Sequence, residues 1–273
     1  MNWGAVFDGL SARVPHPESE YMGEDGLLHC SVCHKRTERM ACVPSLGINR
    51  KVRCICDCMV KEEEALKERE RQQELDRQRR LCFCGTNMAD WTFANDDRQN
   101  PKISDAMFRY VENFAEFRQE GKGLLLYGTV GTGKTYYAAA IANALIDKGF
   151  NVTMTNFAWL SNQIQETWEK NAVIEDLNRK DLVILDDLGA ERRSEYMQEM
   201  VFNIIDSRYR SGLPFIVTTN LTAEEIKKPQ EVSFSRIYDR ILERCFPVEI
   251  TGHSRRRQSV KETYFDTKAK LGL

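Results

Sequence analysis

The sequence of 273 residues contains no apolar stretch of the length needed to cross a membrane, which argues against a membrane-spanning protein. Its first fifteen residues, MNWGAVFDGLSARVP, lack the basic start and apolar core of a secretory signal. The formal net charge of −2 provides no global basic field, so any contact with nucleic acid must use local patches. We therefore expect a cytoplasmic protein with no membrane partner and no structural disulfides.

Cysteine is almost absent from the second part of the chain. Eight of the nine cysteines precede Gly85, and only Cys245 follows it. A cytoplasmic chain that gathers its thiols in one short region more often binds a metal than forms crosslinks.

The clustered cysteines have the spacing of a zinc site. A C-x-x-C pair is followed, after twenty residues, by C-x-C-x-C, and four thiolates can surround one zinc ion tetrahedrally. A module shorter than sixty residues cannot bury enough core alone, so the metal would account for its folding. Free thiols are the alternative, and Cys82 and Cys84 have no assigned role. The predicted ligands are Cys30, Cys33, Cys54 and Cys56, with Cys58 as the alternate.

An apolar run that ends in G-x-x-x-x-G-K-T identifies a phosphate-binding loop. Its glycines let backbone N–H groups wrap around phosphate oxygens, and the following helix adds the positive end of its dipole. Lys134 is predicted to reach the β- and γ-phosphates, and the Thr135 hydroxyl to bind Mg²⁺. The residues predicted to bind ATP in this loop are Gly128, Thr129, Val130, Gly131, Thr132, Gly133, Lys134 and Thr135.

Two later apolar runs end in polar residues that suit the same site. The run D-L-V-I-L-D-D ends in a pair of aspartates. Asp186 is predicted to hold Mg²⁺, and Asp187 is predicted to orient or activate the attacking water. The run F-I-V-T-T-N ends at Asn220, which is expected to sense the γ-phosphate or help place the water; the alternative is a helix N-cap shared with Thr222.

Short apolar strands alternate with helical patterns from about residue 91 onward. Such alternation predicts an α/β fold with a five-stranded parallel sheet flanked by helices. The segment 59–81 holds seven acidic and seven basic residues and reads as a solvated helix, with disorder as the alternative. We predict a zinc module over 1–58, a charged helical linker over 59–90 and an ATPase domain over 91–273. The predicted strands are Leu124–Tyr127, Val152–Thr155, Leu182–Asp186, Phe215–Thr219 and Val248–Ile250, and the predicted helices are 103–119, 134–148, 157–170, 194–211 and 222–244.

The order of these motifs resembles that of the AAA+ ATPases. The finer pattern is similar to the DnaC/IstB-like group of helicase loaders and transposition helpers, through Leu182–Gly189, Arg208–Pro214 and Arg236–Arg240. The resemblance covers about residues 91–260. It implies Walker A at Lys134 and Thr135, Walker B at Asp186 and sensor 1 at Asn220. Asp187 stands where most AAA+ proteins carry a catalytic glutamate, one methylene longer.

The resemblance also implies an arginine finger that acts on a neighbouring subunit of a homo-oligomer. Arg236 and Arg240 fall in the segment that supplies it, and we favour Arg240; the alternative is a solvated or locally paired stripe with Arg244. Few residues follow Ile250, so no full helical lid is expected, and Arg255 is a candidate for sensor 2.

The resulting hypothesis is an ATP-hydrolysing replication protein, with ATP, Mg²⁺ and Zn²⁺ as cofactors, that loads a replicative helicase onto single-stranded DNA. One alternative is a transposition helper that acts with a transposase. Another is a nucleotide-gated adaptor with little hydrolysis. The basic run His253–Arg257 can attract DNA phosphates or be merely solvated, and no base-reading motif is present.

Overall fold

The computed structural model describes residue 17 and residues 19–46, 48–167, 170–189, 195–229, 232–252, 254, 264 and 267–271. The chain divides into two compact units, Met1–Glu74 and Leu75–Leu273. No described helix combines the length and the apolar character that crossing a membrane requires.

The first unit is built from two small antiparallel hairpins. Strand β1 (Glu20–Met22) pairs with β2 (Leu28–Cys30), and β3 (Glu38–Val43) pairs with β4 (Ile48–Arg53). Thr37 joins the hairpins, because its N–H donates to Leu28 and its carbonyl accepts from Cys54. The buried residues among the described part of this unit are Leu27, Cys30, Thr37 and Cys56. One aliphatic side chain is far too little core to stabilise the unit.

Helix α1 (Asp57–Cys82) confirms the helix predicted over the charged segment. Its surface carries ion pairs at helical spacing, such as Lys67 to Glu63 at 2.6 Å. Each such exposed pair contributes only about 0.3–0.5 kcal/mol, so the helix depends on many of them together. The boundary between the two units falls inside this helix.

The second unit contains the predicted five-stranded parallel sheet. Its strands lie in the order β6-β7-β8-β5-β9, and every pairing is parallel. The strands are β5 (Gly123–Tyr127), β6 (Val152–Asn156), β7 (Leu182–Leu188), β8 (Phe215–Thr219) and β9 (Cys245–Glu249). The helices are α2 (Pro101–Glu112), α3 (Phe114–Glu120), α4 (Lys134–Asp147), α5 (Phe157–Thr167), α6 (Lys170–Arg179), α7 (Glu195–Ser211), α8 (Ala223–Lys227) and α9 (Val232–Arg244).

Side chains of strand β5 alternate between two buried clusters. Leu124 and Leu126 join the cluster that contains Ile141 of α4, whereas Leu125 joins the cluster that contains Ile205 of α7. Both faces of the sheet are therefore covered by helices, which explains the continuous apolar runs in the three inner strands β5, β7 and β8.

Three predicted elements differ from the observed ones for local reasons. The helix predicted over 103–119 breaks at Asn113, whose side chain donates to the Arg109 carbonyl. The helix over 222–244 breaks after α8, since Pro229 disfavours helical backbone at the preceding residue. The last strand begins at Cys245 rather than at Val248. It contains Pro247, which is tolerated because β9 lies at the sheet edge.

The helix predicted over 157–170 is confirmed as α5 to residue 167, and residues 168 and 169 are outside the described set. A second helix, α6, follows it where no element was predicted. The polar composition of α6, with a partly apolar face, explains why its pattern was missed.

Arg208 of α7 binds backbone carbonyls just before the neighbouring strands β7 and β8. Its side chain is 2% exposed, and its guanidinium donates to the carbonyls of Leu177, Lys180, Asp181 and Pro214 at 2.9–3.2 Å. Burial lowers its pKa to about 10, so the group stays protonated at neutral pH. These carbonyls precede β7 and β8, which are adjacent in the sheet.

Replacing Arg208 by lysine is expected to lower the free energy of unfolding by about 3 kcal/mol. A lysine has three donors instead of five, so some buried carbonyls lose their partners. Urea denaturation measures the change. The matched control is Arg210→Lys two residues away, where the side chain is 75% exposed and a change within about 0.5 kcal/mol is expected. Equal denaturation midpoints for the two variants would contradict this role for Arg208.

Candidate functional site

The predicted phosphate loop lies between β5 and α4, at the carboxyl edge of the sheet. Gly128, Gly131 and Gly133 adopt φ angles of 136°, 87° and 102°, a region that side chains with a Cβ rarely enter. A Cβ on Gly128 would lie 2.5 Å from the carbonyl oxygen of Ile250. The loop conformation therefore requires glycine at these positions, as the sequence motif predicts.

Lys134 lies inside the loop and not in solvent. It is 6% exposed, and its Nζ donates to the carbonyls of Gly128 at 2.9 Å and Thr129 at 2.8 Å. Thr132 is also buried and donates to the Thr129 carbonyl, whereas Val130 is exposed at the loop tip. An ammonium held at the start of a helix beside inward-facing amides suits a phosphate group.

The strand order brings the two predicted acidic strand ends beside this loop. Strand β8 lies between β7 and β5, so residues at or just after the carboxyl ends of all three strands meet at one edge; Asp186 and Asp187 lie in the last three residues of β7. Asp186 accepts a hydrogen bond from the Thr218 hydroxyl at 2.6 Å and another from Thr135. Burial raises the pKa of Asp186 above its ordinary value, while these two hydroxyls lower it. A hydroxyl and a carboxylate in contact are oxygen ligands that suit Mg²⁺.

Asp187 and Asn220 are in direct contact. Asp187 has a φ of 61°, and its N–H donates to the Thr218 hydroxyl at 2.8 Å. The Asn220 amide donates to the Asp187 carboxylate at 2.7 Å. The pairing of β7 with β8 has a register shift between Leu185 and Leu188, which bends the strand at this point. The side chains of the two adjacent aspartates therefore meet different partners, Thr218 for Asp186 and Asn220 for Asp187. The arrangement provides one carboxylate for a metal and another, with an amide, for a water molecule.

Thr218 is a site residue that the sequence reasoning missed. Its hydroxyl bonds to both the Asp186 carboxylate and the Asp187 backbone, so it connects the two acids. The available signal was a pair of threonines that ends the apolar run of β8, and Thr218 is 1% exposed there. A buried hydroxyl requires a partner, and the neighbouring strand end supplies it.

Replacing Asp187 by asparagine is expected to lower the ATP hydrolysis rate by at least about 100-fold, because general base catalysis contributes about that much. Asparagine keeps the shape and tolerates positive φ, so the loop should persist. Steady-state turnover and calorimetric ATP affinity are the measurements, and the affinity should remain within about twofold. A variant that still turns over at the normal rate would contradict the role. A wild-type protein without turnover would favour the nucleotide-gated adaptor.

Arg236 and Arg240 both lie on α9, as predicted. Arg240 is 25% exposed and donates from Nε to Asp206 at 2.6 Å, whereas Arg236 is exposed. Within the described residues, neither arginine forms a hydrogen bond or ion pair with the loop or with the two acids. Arg255, together with the basic run His253–Arg257, lies outside the described residues except for Ser254.

Four cysteines of the first unit converge. The Sγ atoms of Cys30, Cys33, Cys56 and Cys58 all lie within 4.8 Å of one another. The Sγ of Cys58 is 3.4 Å from that of Cys30 and 3.1 Å from that of Cys56. Four thiolates around a tetrahedral zinc at about 2.3 Å are about 3.8 Å apart, so this donor set fits the ion. Mainly the Lys35 N–H lowers the pKa of Cys33 to about 6, which favours its thiolate.

Cys54, the preferred fourth ligand, lies outside this cluster, and the alternate Cys58 stands in the cluster instead. The Sγ of Cys54 faces the Arg36 carbonyl at 3.4 Å, and its N–H is bound to Thr37. The chain turns at Cys56, whose carbonyl begins α1, and this turn brings Cys58 back toward Cys56. The C-x-C-x-C spacing alone does not reveal where the strand changes into a helix.

Cys82 and Cys84 belong to the second unit and pack against its edge strand β6. Cys82 is 1% exposed, and burial raises its pKa to about 12. The Sγ of Cys84 lies 3.8 Å from the carbonyl of Met154. These contacts indicate packing residues with protonated thiols.

Comparison with known proteins gives concordant similarities. A family model described as IstB-like ATP binding protein matches residues 49–263. The "Replicative helicase loader DnaI" of Bacillus subtilis (strain 168) is 28% identical over 216 residues, which cover 73% of this chain and 68% of that protein. The "Replicative helicase loader DnaC" of Escherichia coli (strain K12) is 31% identical over 125 residues, 44% of this chain and 50% of that protein. The chain thus spans about two thirds of DnaI and half of DnaC.

An insertion-sequence relative and a solved structure extend the comparison. The "Putative insertion sequence ATP-binding protein y4iQ/y4nD/y4sD" of Sinorhizobium fredii (strain NBRC 101917 / NGR234) is 28% identical over 167 residues, 59% of this chain and 56% of that protein. A crystal structure of DnaI superimposes with a TM-score of 0.55 at 28% identity, over 66% of this chain and 99% of that chain.

Proposed function

The chain belongs to the family of IstB-like ATP binding proteins, and from this premise we propose that it loads a replicative helicase onto single-stranded DNA. It is a P-loop ATPase of the AAA+ class. The observation that carries the loader proposal is the similarity to the helicase loader DnaI, which extends over 216 residues. In this proposal residues 1–58 form a zinc module, 59–90 a helical linker and 91–273 the ATPase domain.

Each site residue has a part in the proposed ATP cycle. Lys134 and the loop amides hold the phosphates, and Thr135 and Asp186 hold Mg²⁺, which neutralises phosphate charge when bound. Asp187 accepts the proton of the attacking water, and Asn220 orients that water through the hydrogen bond it shares with Asp187. The support for this assignment is that these groups lie at neighbouring strand ends.

An arginine from a neighbouring subunit completes the proposed site. Arg240, or the more exposed Arg236, would face the phosphates of the next copy, because neither contacts the site within its own chain among the described residues. A guanidinium in this place offsets charge that develops on the transferred phosphoryl group. The protein would therefore hydrolyse ATP as a homo-oligomer.

Loading is tested with the replicative helicase from the same source and closed circular single-stranded DNA. We expect the protein with ATP to increase the amount of helicase bound to the circle. The Lys134→Ala variant, which removes the phosphate contact, should fail to load and serves as the control. The proposal is refuted when no complex with the helicase forms and the loaded fraction is unchanged.

A transposition helper is the second candidate, favoured by the insertion-sequence relative. In this case the same ATPase would assemble on duplex DNA and engage a transposase. Neighbouring genes distinguish the two functions, because replication genes support the loader and a transposase gene supports the helper. Preferential ATP-dependent binding to duplex over single-stranded DNA would also favour the helper.

A further inference from the structure

Arg208 of α7 and Arg240 of α9, which contacts α7 through Asp206, are held in different ways. Arg208 uses Nε and both Nη atoms on backbone carbonyls and is 2% exposed, so its guanidinium is fully committed. Arg240 uses Nε on Asp206 and Nη1 on the Arg236 carbonyl at 3.1 Å, and its side chain is 25% exposed. Among the described residues, Nη2 of Arg240 has no hydrogen-bond partner. Arg208 therefore has a structural role, whereas Arg240 keeps one donor available for a further partner.

Asp206 fixes the orientation of the Arg240 guanidinium. Its carboxylate is 12% exposed, with one oxygen 2.6 Å from Arg240 Nε and the other 2.9 Å from Arg210 Nε. The Arg240 guanidinium also lies over the Phe202 ring, 4.8 Å from its centroid, and 5.7 Å from the ring centroid of Tyr209. Contact through Nε, with aromatic rings within 6 Å of the guanidinium carbon, restricts rotation of the group, and it leaves the Nη2 donor without a protein partner among the described residues.

We propose that Asp206 is a positioning residue that holds Arg240 in the geometry with which it reaches the phosphate of ATP in a neighbouring subunit. This inference rests on the arginine assignment made under the proposed function. It adds the residue that prepares the arginine before the subunits meet. A guanidinium that is already oriented loses less side-chain freedom on contact, so more of the interaction lowers the barrier to hydrolysis.

The expected effect of Asp206→Asn is a reduction of kcat by about 10- to 100-fold, because a misplaced catalytic group costs about that much. The KM for ATP should remain near the wild-type value, since Asp206 makes no contact with the nucleotide loop among the described residues. Arg210→Ala is the matched control. It removes the other partner of the same carboxylate, and its side chain is 75% exposed, so normal turnover is expected. Turnover is measured with an oligo-dT strand present, and thermal melting confirms that each variant is folded.

Mixed oligomers separate a role in the neighbouring site from a role in the protein's own site. Lys134→Ala has a defective nucleotide loop but a normal Arg240, and Asp206→Asn has the reverse. Mixing the two should restore turnover above that of either variant alone. Arg240→Ala mixed with Lys134→Ala should recover in the same way, and this pair tests the arginine assignment by itself. If Asp206→Asn fails to fold, Asp206→Glu is used instead, because it keeps the charge and displaces it by one methylene.

The outcomes assign failure to one proposal or the other. Full turnover of Arg240→Ala, or no recovery in its mixture, overturns the arginine assignment. Recovery of the Arg240 mixture together with a normal kcat for Asp206→Asn overturns only the positioning role. A reduced kcat for Asp206→Asn that the mixture does not restore also overturns it, since the defect then lies in the variant's own site.

Discussion

Replacing Lys134 by alanine is expected to abolish measurable ATP hydrolysis and to weaken Mg·ATP binding by at least about 100-fold, about 3 kcal/mol. Lys134 is 6% exposed, and its ammonium donates to two loop carbonyls, so the group is held inside the loop where a phosphate would bind. Charge-assisted contacts at such a site are about twice as strong as neutral ones. Titration calorimetry with Mg·ATP measures the affinity directly.

The matched control for this experiment is Lys148→Ala. Lys148 follows the same helix α4 at its opposite end, where its Nζ donates to the Val111 carbonyl at 3.2 Å. Losing this partly buried contact should leave ATP affinity unchanged and lower the stability by about 1 kcal/mol. If Lys134→Ala bound Mg·ATP as tightly as Lys148→Ala, the assignment of this loop to the nucleotide site would be wrong.

The part of the site that the sequence predicted is the part governed by local geometry. Gly128, Gly131 and Gly133 mark backbone that only glycine adopts readily. Asp186 and Asn220 each follow an apolar run; Asn220 comes directly after β8, and Asp186 lies two residues before the end of β7. Parallel strands then bring their carboxyl ends to one edge whatever the order of the strands. The predicted bounds of four of the five strands agree with the observed bounds within two residues. The start of β9 was predicted three residues too late, because Pro247 interrupts its apolar pattern.

The part that the sequence could not predict depends on contacts between distant residues. Arg208 binds carbonyls near residue 180, and Arg240 pairs with Asp206 thirty-four positions away. The sequence placed Arg240 in a stripe with Arg236 and Arg244 and gave Arg208 no role beyond a shared motif. In the structure Arg208 is buried with its guanidinium bound to carbonyls, whereas Arg240 keeps an available donor. No periodicity encodes this difference, because it arises from how α7 packs on the sheet and on α9. The exchange of Cys54 for Cys58 has a similar origin in the turn at Cys56.

Zinc content should depend on Cys58 and not on Cys54. Losing a residue that only hydrogen-bonds to a metal ligand weakens metal affinity by about 10- to 100-fold. Cys58→Ser should weaken zinc binding by more than this, because it replaces a ligand and a serine hydroxyl is a poor substitute for a thiolate. Metal analysis of the full chain should give close to one zinc per chain for the wild-type protein and for Cys54→Ser. The Cys58→Ser protein should retain little zinc after dialysis against a weak chelator.

Loss of the metal should unfold the first unit without unfolding the second. Its described buried set holds a single aliphatic residue, Leu27, so the folding free energy must come largely from the metal. The second unit has its own two clusters on either side of the sheet and does not depend on zinc. Limited proteolysis of Cys58→Ser should therefore remove the part before α1 and leave a stable fragment that still binds Mg·ATP. Retention of zinc by Cys58→Ser together with its loss from Cys54→Ser would reverse the ligand assignment.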